Sequence, residues 1–395
     1  MSDNTIILYG IPAYGHIHSN LYLAGSLAAE GFRVIYYATE PFRAVIEANG
    51  CEYRPYSFLS GPPDLSDGKR ILKLYRLLLQ YTAEMLPGLV EDARRDSPCA
   101  VMFDSLALWG RAVGRMLHVP VFSFYSIAAI SRPGGAGLWR YAAGFAGGFF
   151  RYVGELPRAF SLRRDLHKTG VRDLGLFSVL MGTGDYNLMG YARRFQPGGL
   201  RFGKAYHFLG PLAVYRTVVE ENDFVCPAGP LVYVSLGTVF NENRALFREI
   251  VRQFGAGGPG DGFPYRVVIA GMMGMGGTEP LPENIIMRPF VRQAEIMKRA
   301  ALFVTAGGMN SIHEALYYRV PCLLVPGQGE QCINAMRFEK LGFGRILRDV
   351  SALRREAEQA MRLRQSWREA VREELLAVHV DEALALFRRS RHDKG

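Results

Sequence analysis

The sequence predicts an α/β protein made of two doubly wound, Rossmann-like domains facing across a cleft. Two observations predict it. Strand-like apolar runs alternate with helical patterns from the first residues onward, and that βαβα order implies a parallel sheet covered on both faces. The same plan repeats in the second half, after a polar stretch over 210–230 punctuated by Pro211, Pro227, Gly229 and Pro230. A chain of 395 residues is long for one ordinary core and fits two domains.

In order along the chain, residues 5–9 read as a buried strand. Residues 18–30 read as a helix with Leu21, Ala24, Leu27 and Ala28 on one face and Gly31 as its stop. A strand at 33–38, a helix to Asn49 and a short strand near 52–56 follow. Strands at 100–103 and 121–124 flank another helix. In the second half, strands at 231–236, 266–270, 302–305 and 322–325 alternate with helical segments. The expected domains are 1–212 and 229–375, joined by a linker at 213–228; a final helix at 376–395 packs back toward the first domain. Ligands of open α/β sheets bind beyond the carboxyl ends of the strands, so those ends and the cleft between the domains are where site residues are sought.

Composition narrows the function classes. Hydrophobic residues make up 49% and charged residues 21%, a globular balance and not a disordered one. The longest weakly charged stretch, 133–150, is interrupted by Arg140, whereas a spanning helix needs roughly 20 apolar residues. No integral membrane contact is expected. The start, Met1 to Thr5, carries no basic region or cleavage site, so no secretory signal is expected either. Cys51, Cys99, Cys226, Cys322 and Cys332 form no Cys-x-x-Cys pair, which fits a reducing cytoplasm. The net charge of +10 suits either a solvated Arg-rich surface or attraction to an anion such as a nucleoside diphosphate. Without zinc-finger spacing or an aromatic RNA-binding signature, nucleic acid is not an expected partner.

The residues that suggest chemistry fall at predicted strand ends. His16 follows the first strand, placed in a loop that Gly15 lets turn tightly, just before a helix. An imidazole there suits general-base work, and taken alone it suits a structural role as well. Asp104 ends the strand Val101-Met-Phe-Asp on the same sheet edge, where a carboxylate fixes an imidazole tautomer; alone, it reads better as a helix cap. The pair together favours catalysis. His16 and His18 lack a third ligand nearby, so no metal is expected.

In the second half, Gly307 and Gly308 allow close backbone approach, and a helix beginning near Met309 offers N–H groups to a diphosphate. Asn310 and Ser311 add side-chain hydrogen bonds, and Glu314, one turn in, suits ribose hydroxyls. A plain helix start after a tight turn is the alternative. Glu330 and Gln331 set an acid beside an amide, suited to sugar hydroxyls or to an ordinary surface helix start. Gly271, Gly274, Gly276 and Gly277 imitate a dinucleotide loop, but they lead to Pro280 and Pro282 instead of a helix.

The segments Ile11-Pro-Ala-Tyr-Gly-His, Tyr36-Tyr-Ala-Thr-Glu, Val234-Ser-Leu-Gly-Thr and the run from Val304 to Gly344 together resemble the UDP-glycosyltransferase superfamily, specifically its bacterial macrolide glycosyltransferase group with the GT-B fold. The resemblance implies an N-terminal acceptor-binding domain and a C-terminal nucleotide-sugar-binding domain. It implies that His16 is the base and Asp104 its partner. It places Thr238, Asn310 and Ser311 on phosphate-contacting positions, Glu314 on the ribose-binding one and Phe290 on the base-stacking one. Gln293 follows Phe290, and Glu330 with Gln331 match the sugar-binding pair. The activity implied is inverting transfer from a UDP- or dTDP-linked sugar to a small, largely apolar natural product, with the nucleotide sugar as co-substrate and no other cofactor or metal. A transferase-like helper protein with impaired donor turnover and an altered reaction on the same scaffold are the alternatives; a partner protein or homo-oligomer stays open. Three positions depart from the family pattern: Ala306 stands for the His of His-Gly-Gly, His18 and Ser19 for Asn-Pro, and Arg292 for the Pro of Val-Pro-Gln. A larger side chain at position 306 is expected to point into the cleft.

Overall fold

The structure is a computed structural model that describes residues 4–57, 71–129, 150–196, 202–215, 224–237, 244–255, 263–271, 280–327, 329–362, 371 and 373–390. The chain divides into two compact units. One comprises Met1–Val219 with Ala377–Gly395, the other Glu220–Leu376.

The first unit is built on β1 (Thr5–Tyr9), β2 (Arg33–Ala38), β3 (Glu52–Pro55), β4 (Ala100–Asp104), β5 (Val121–Tyr125), β6 (Tyr186–Met189) and β7 (Tyr206–Phe208). All pairings are parallel, in the order β3-β2-β1-β4-β5-β6-β7. The helices are α1 (Tyr14–Ala29), α2 (Arg43–Ala48), α3 (Ile71–Asp96), α4 (Leu108–Met116), α5 (Leu156–Lys168) and α6 (Leu176–Met181). Because successive strand side chains face opposite ways, each strand feeds two cores. Ile7, Tyr9, Ile35, Tyr37, Val101 and Phe103 pack under α3 and α4. Ile6, Leu8, Val34, Tyr36, Met102 and Phe122 pack on the other face with Leu21, Ala24 and Leu27 of α1. The C-terminal helix, Val380–Ser390, joins this second core. Its Phe387 stacks on Phe122 at 3.8 Å between ring centroids, and Arg388 pairs with Glu30 at 2.7 Å.

The second unit holds β8 (Leu231–Ser235), β9 (Arg266–Ala270), β10 (Ile285–Arg288), β11 (Ala300–Thr305), β12 (Cys322–Leu324) and β13 (Gly344–Ile346). They too are parallel, ordered β10-β9-β8-β11-β12-β13. Its helices are α7 (Arg244–Phe254), α8 (Gln293–Met297), α9 (Met309–Tyr317), α10 (Gly329–Lys340) and α11 (Leu353–Arg362), and the final helix of the chain becomes α12. In each sheet the strand order reverses once, at β1/β4 and at β8/β11, so each unit has a switch point at its carboxyl edge.

Two expectations need correction. The first long helix starts at Tyr14, so His16 lies in its first turn and not in the preceding loop. Its N-cap is Ala13, which makes no side-chain hydrogen bond, so the usual Ser, Thr, Asp or Asn start signal is missing. Gly15 is helical, and the chain bends earlier, at Pro12 and Ala13; the glycine that packing requires is Gly10, where a Cβ would meet Ile17 Cδ1 and Tyr36 Cε2 at 2.8 Å. Ala306 is 4% exposed and belongs to the apolar cluster with Val234, Val304 and Leu323, so a larger side chain there would enter the core.

Candidate active site

In the first unit the end of β1 and the end of β4 lie side by side, with Tyr9 opposite Phe103 in the parallel register. The first turn of α1 then sets the His16 imidazole over the end of β4. Its Nδ1 lies 2.8 Å from Asp104 Oδ2. Asp104 is 0% exposed, and its other oxygen accepts the Leu106 N–H at 3.1 Å. The carboxylate is therefore not the cap of α4, whose N-cap is Ala107. It shapes the turn with one oxygen and holds the imidazole with the other.

A second group on the same nitrogen escaped the sequence reading. Ser126 Oγ, just past β5, sits 3.0 Å from His16 Nδ1 and is buried. Facing a carboxylate, Nδ1 is assigned the hydrogen, which leaves Nε2 as the basic nitrogen. His18 lies one turn along α1, edge-on to the Tyr14 ring at 5.5 Å.

The second unit brings most of its predicted residues to the carboxyl edge around β11. Gly307 has φ +83, a backbone conformation that L side chains rarely adopt, and its N–H is 3.4 Å from Thr305 Oγ1. Gly308 is the N-cap of α9, and a Cβ there would meet open space. The helical ladder begins at Ile312 N–H to Gly308 carbonyl, 3.1 Å. Asn310 and Ser311 occupy the first turn, half-buried, at the positive end of the helix dipole. Glu314 is buried one turn further on and accepts a hydrogen bond from the Gln293 amide. Tyr233 Oη donates to Gln293 Oε1 at 2.9 Å, which fixes which end of that amide faces Glu314. Phe290 is 57% exposed on the loop after β10. Beside Glu314, burial pushes the His313 imidazole down to about 4, so it is neutral.

Glu330 and Gln331 open α10. Gln331 Oε1 accepts the Gly327 N–H at 2.9 Å, and Glu330 Oε1 accepts from Asn334 Nδ2 at 2.9 Å. Asn334 also donates to the Gly307 carbonyl at 3.1 Å. Thr238 lies outside the described residues. Ser126 had a topological signal, since it follows the strand beside β4. Asn334 had one too, one turn after Glu330. Tyr233 had none, because a buried strand tyrosine reads as core.

The profile of the glycosyltransferase family 28 C-terminal domain matches residues 270–374, the segment that carries the glycine loop and α10. The demethyllactenocin mycarosyltransferase of Streptomyces fradiae is 30% identical over 358 residues, covering 86% of this chain and 74% of that protein. This chain belongs to the UDP-glycosyltransferase superfamily, in its bacterial macrolide glycosyltransferase group. The oleandomycin glycosyltransferase of Streptomyces antibioticus is 28% identical over 355 residues, 87% of this chain and 79% of that one. Among solved structures, the kitacinnamycin glycotransferase superposes with a TM-score of 0.76 at 22% identity, covering 98% and 99% of the two chains. The two Rossmann-like units are thus those of a GT-B glycosyltransferase, an enzyme that draws its sugar from a nucleotide sugar. Among the described residues, no helix is long and apolar enough to cross a membrane.

Proposed function

We propose that this glycosyltransferase moves a sugar from a UDP- or dTDP-linked donor to a hydroxyl of a small, largely apolar natural product, with inversion at the anomeric carbon and without a metal. The observation that carries the reading is the His16–Asp104 pair, 2.8 Å apart with the carboxylate fully buried. His16 Nε2 takes the acceptor's proton while the hydroxyl oxygen bonds to the anomeric carbon. The bond from that carbon to the phosphate oxygen breaks on the opposite face, and its electron pair leaves with the nucleoside diphosphate. Asp104 holds the Nδ1 hydrogen and stabilises the imidazolium as it forms.

The leaving diphosphate needs positive potential. Gly307, Gly308 and the first turn of α9 with Asn310 and Ser311 supply it through N–H groups and side chains, which is why no metal is required. Thr238 joins them by position in the family pattern. Phe290 offers an exposed ring to the base beside Gln293, Glu314 meets the ribose, and Glu330 with Gln331 meets the sugar. The names of the two relatives, a demethyllactenocin mycarosyltransferase and an oleandomycin glycosyltransferase, support a natural-product acceptor.

The test is transfer from UDP-glucose and dTDP-glucose to a panel of hydroxylated macrolides, with and without EDTA. Expected is a β-linked product from the α-linked donor, formed at the same rate with chelator present. An α-linked product overturns the inverting assignment, and loss of activity with EDTA overturns the metal-free one.

A further inference from the structure

Among the described residues, Asn334 is one of the few polar side chains buried in the second unit, at 2% exposure, and it uses both hydrogens of its amide. An amide buried in an apolar setting is costly unless it is hydrogen-bonded. A residue that only packed α10 against the sheet would be apolar at that position. Here one hydrogen goes to the Gly307 carbonyl at 3.1 Å and the other to Glu330 Oε1 at 2.9 Å. One partner is 27 residues away, in the loop after β11; the other is one helical turn back on α10. The loop itself lies against α10, since a Cβ at Gly307 would stand 3.5 Å from the Gln331 carbonyl and 3.7 Å from Ala335 Cβ.

We infer that Asn334 is a positioning residue that couples the diphosphate loop to the sugar-recognising carboxylate of Glu330. The inference rests on the donor-site reading above. The loop and the carboxylate share one neutral double donor, so a shift of the Gly307 carbonyl moves the amide and, with it, the Glu330 side chain. Sugar recognition is thereby made conditional on a correctly seated diphosphate loop. An aspartate could not serve, because its carboxylate would face both a carbonyl and a second carboxylate.

The test is isothermal titration of the full chain with UDP, dTDP, UDP-glucose and dTDP-glucose. The proteins are wild type, Asn334→Ala, Asn334→Asp, Glu330→Gln and the double variant Glu330→Gln/Asn334→Ala. In the wild-type background Glu330→Gln is expected to weaken the sugar nucleotide about tenfold and the plain nucleotide little. Asn334→Ala is expected to weaken the sugar nucleotide about fivefold to tenfold more than the plain one, and the added cost of Glu330→Gln in that background should fall to about twofold. Asn334→Asp keeps the side-chain shape and should show the same selective loss, so the inference stands on it if Asn334→Ala does not fold. A side chain that merely packs would lower the melting temperature, weaken both ligand types alike and leave the Glu330→Gln cost intact; that result overturns the coupling. Wild type that binds none of the four ligands overturns the donor-site reading and the inference with it, whereas wild-type binding with unchanged variants overturns the coupling alone.

Discussion

Replacing Asp104 by Asn changes almost no shape and reverses the hydrogen-bond logic at His16. Asp104 now accepts twice, from Leu106 N–H at 3.1 Å and from His16 Nδ1 at 2.8 Å. The amide of Asp104→Asn has one accepting end. If its oxygen stays on Leu106, its NH2 faces Nδ1, which must become the acceptor, and the ring hydrogen moves to Nε2. That tautomer cannot take a proton from the acceptor sugar-receiving hydroxyl. If the amide flips instead, NH2 opposes the Leu106 N–H, and a buried donor without an acceptor costs about 1–3 kcal/mol. The first arrangement wins. Reaching the active tautomer then costs about 1–3 kcal/mol, and losing the charge-assisted bond to the imidazolium adds about 1.5–3 kcal/mol. The sum is roughly 3–6 kcal/mol, or about two to four decades in kcat. Sugar transfer is to be measured from pH 5 to 9 beside UDP titration. Nucleotide affinity should stay within about twofold, since the proposed nucleotide contacts belong to the other unit. A folded Asp104→Asn protein with kcat within tenfold of wild type would refute the tautomer argument.

Glu314→Ala should weaken UDP about tenfold and 2′-deoxy-UDP less than threefold, because the lost bonds are to ribose hydroxyls; equal losses would show that Glu314 does not reach the ribose. His313, held at about 4 in the folded protein against 6.5 when exposed, binds protons more readily unfolded. Its contribution is therefore complete above about pH 7 and declines as pH falls from about 6.5 to 4, by at most about 3 kcal/mol. Urea titrations of His313→Leu should lose that acidic slope, and an unchanged slope would assign it elsewhere. Ala306→His should destabilise the second unit by about 1–3 kcal/mol through overpacking; an unaltered melting temperature would mean that the imidazole leaves the apolar cluster.

The strand pattern was readable because each unit buries its sheet on both faces. Runs such as Thr5–Tyr9, Ala100–Asp104 and Arg266–Ala270 are nearly all apolar and stand out from their surroundings. The short edge strands Tyr206–Phe208, Ile285–Arg288 and Gly344–Ile346 were missed, since a few half-buried residues carry little periodicity. The helix start at Tyr14 was missed for want of a capping side chain at Ala13. Ala306 was misplaced because a residue before Gly-Gly looks like loop, while its side chain continues the inward face of β11 after Leu302 and Val304.

In the site itself, sequence reasoning found the ligand-facing residues and Asp104, which a strand end marks although it lies 88 residues from His16, and missed the other supports behind them. His16 and Glu330 stand in the first turns of helices and Asp104 at a strand end, where backbone groups end and polar side chains gather, and Glu314 lies one turn into α9. The groups that hold them come from elsewhere: Ser126 is 110 residues from His16, Tyr233 is 60 from Gln293, and Asn334 is 27 from Gly307. Each supporting residue is buried, so in a linear reading Tyr233 passes for core and Ser126 and Asn334 for ordinary helix or loop positions. Two of them set the direction of a hydrogen bond that contact chemistry depends on: Tyr233 the orientation of the Gln293 amide, and Asn334 the seat of the Glu330 carboxylate. A side chain at a strand end is free to sample several rotamers, and ordering it on ligand binding costs entropy. Buried donors and acceptors of fixed polarity meet that cost during folding, so the layer that the sequence conceals is the one that makes the visible residues ready to act.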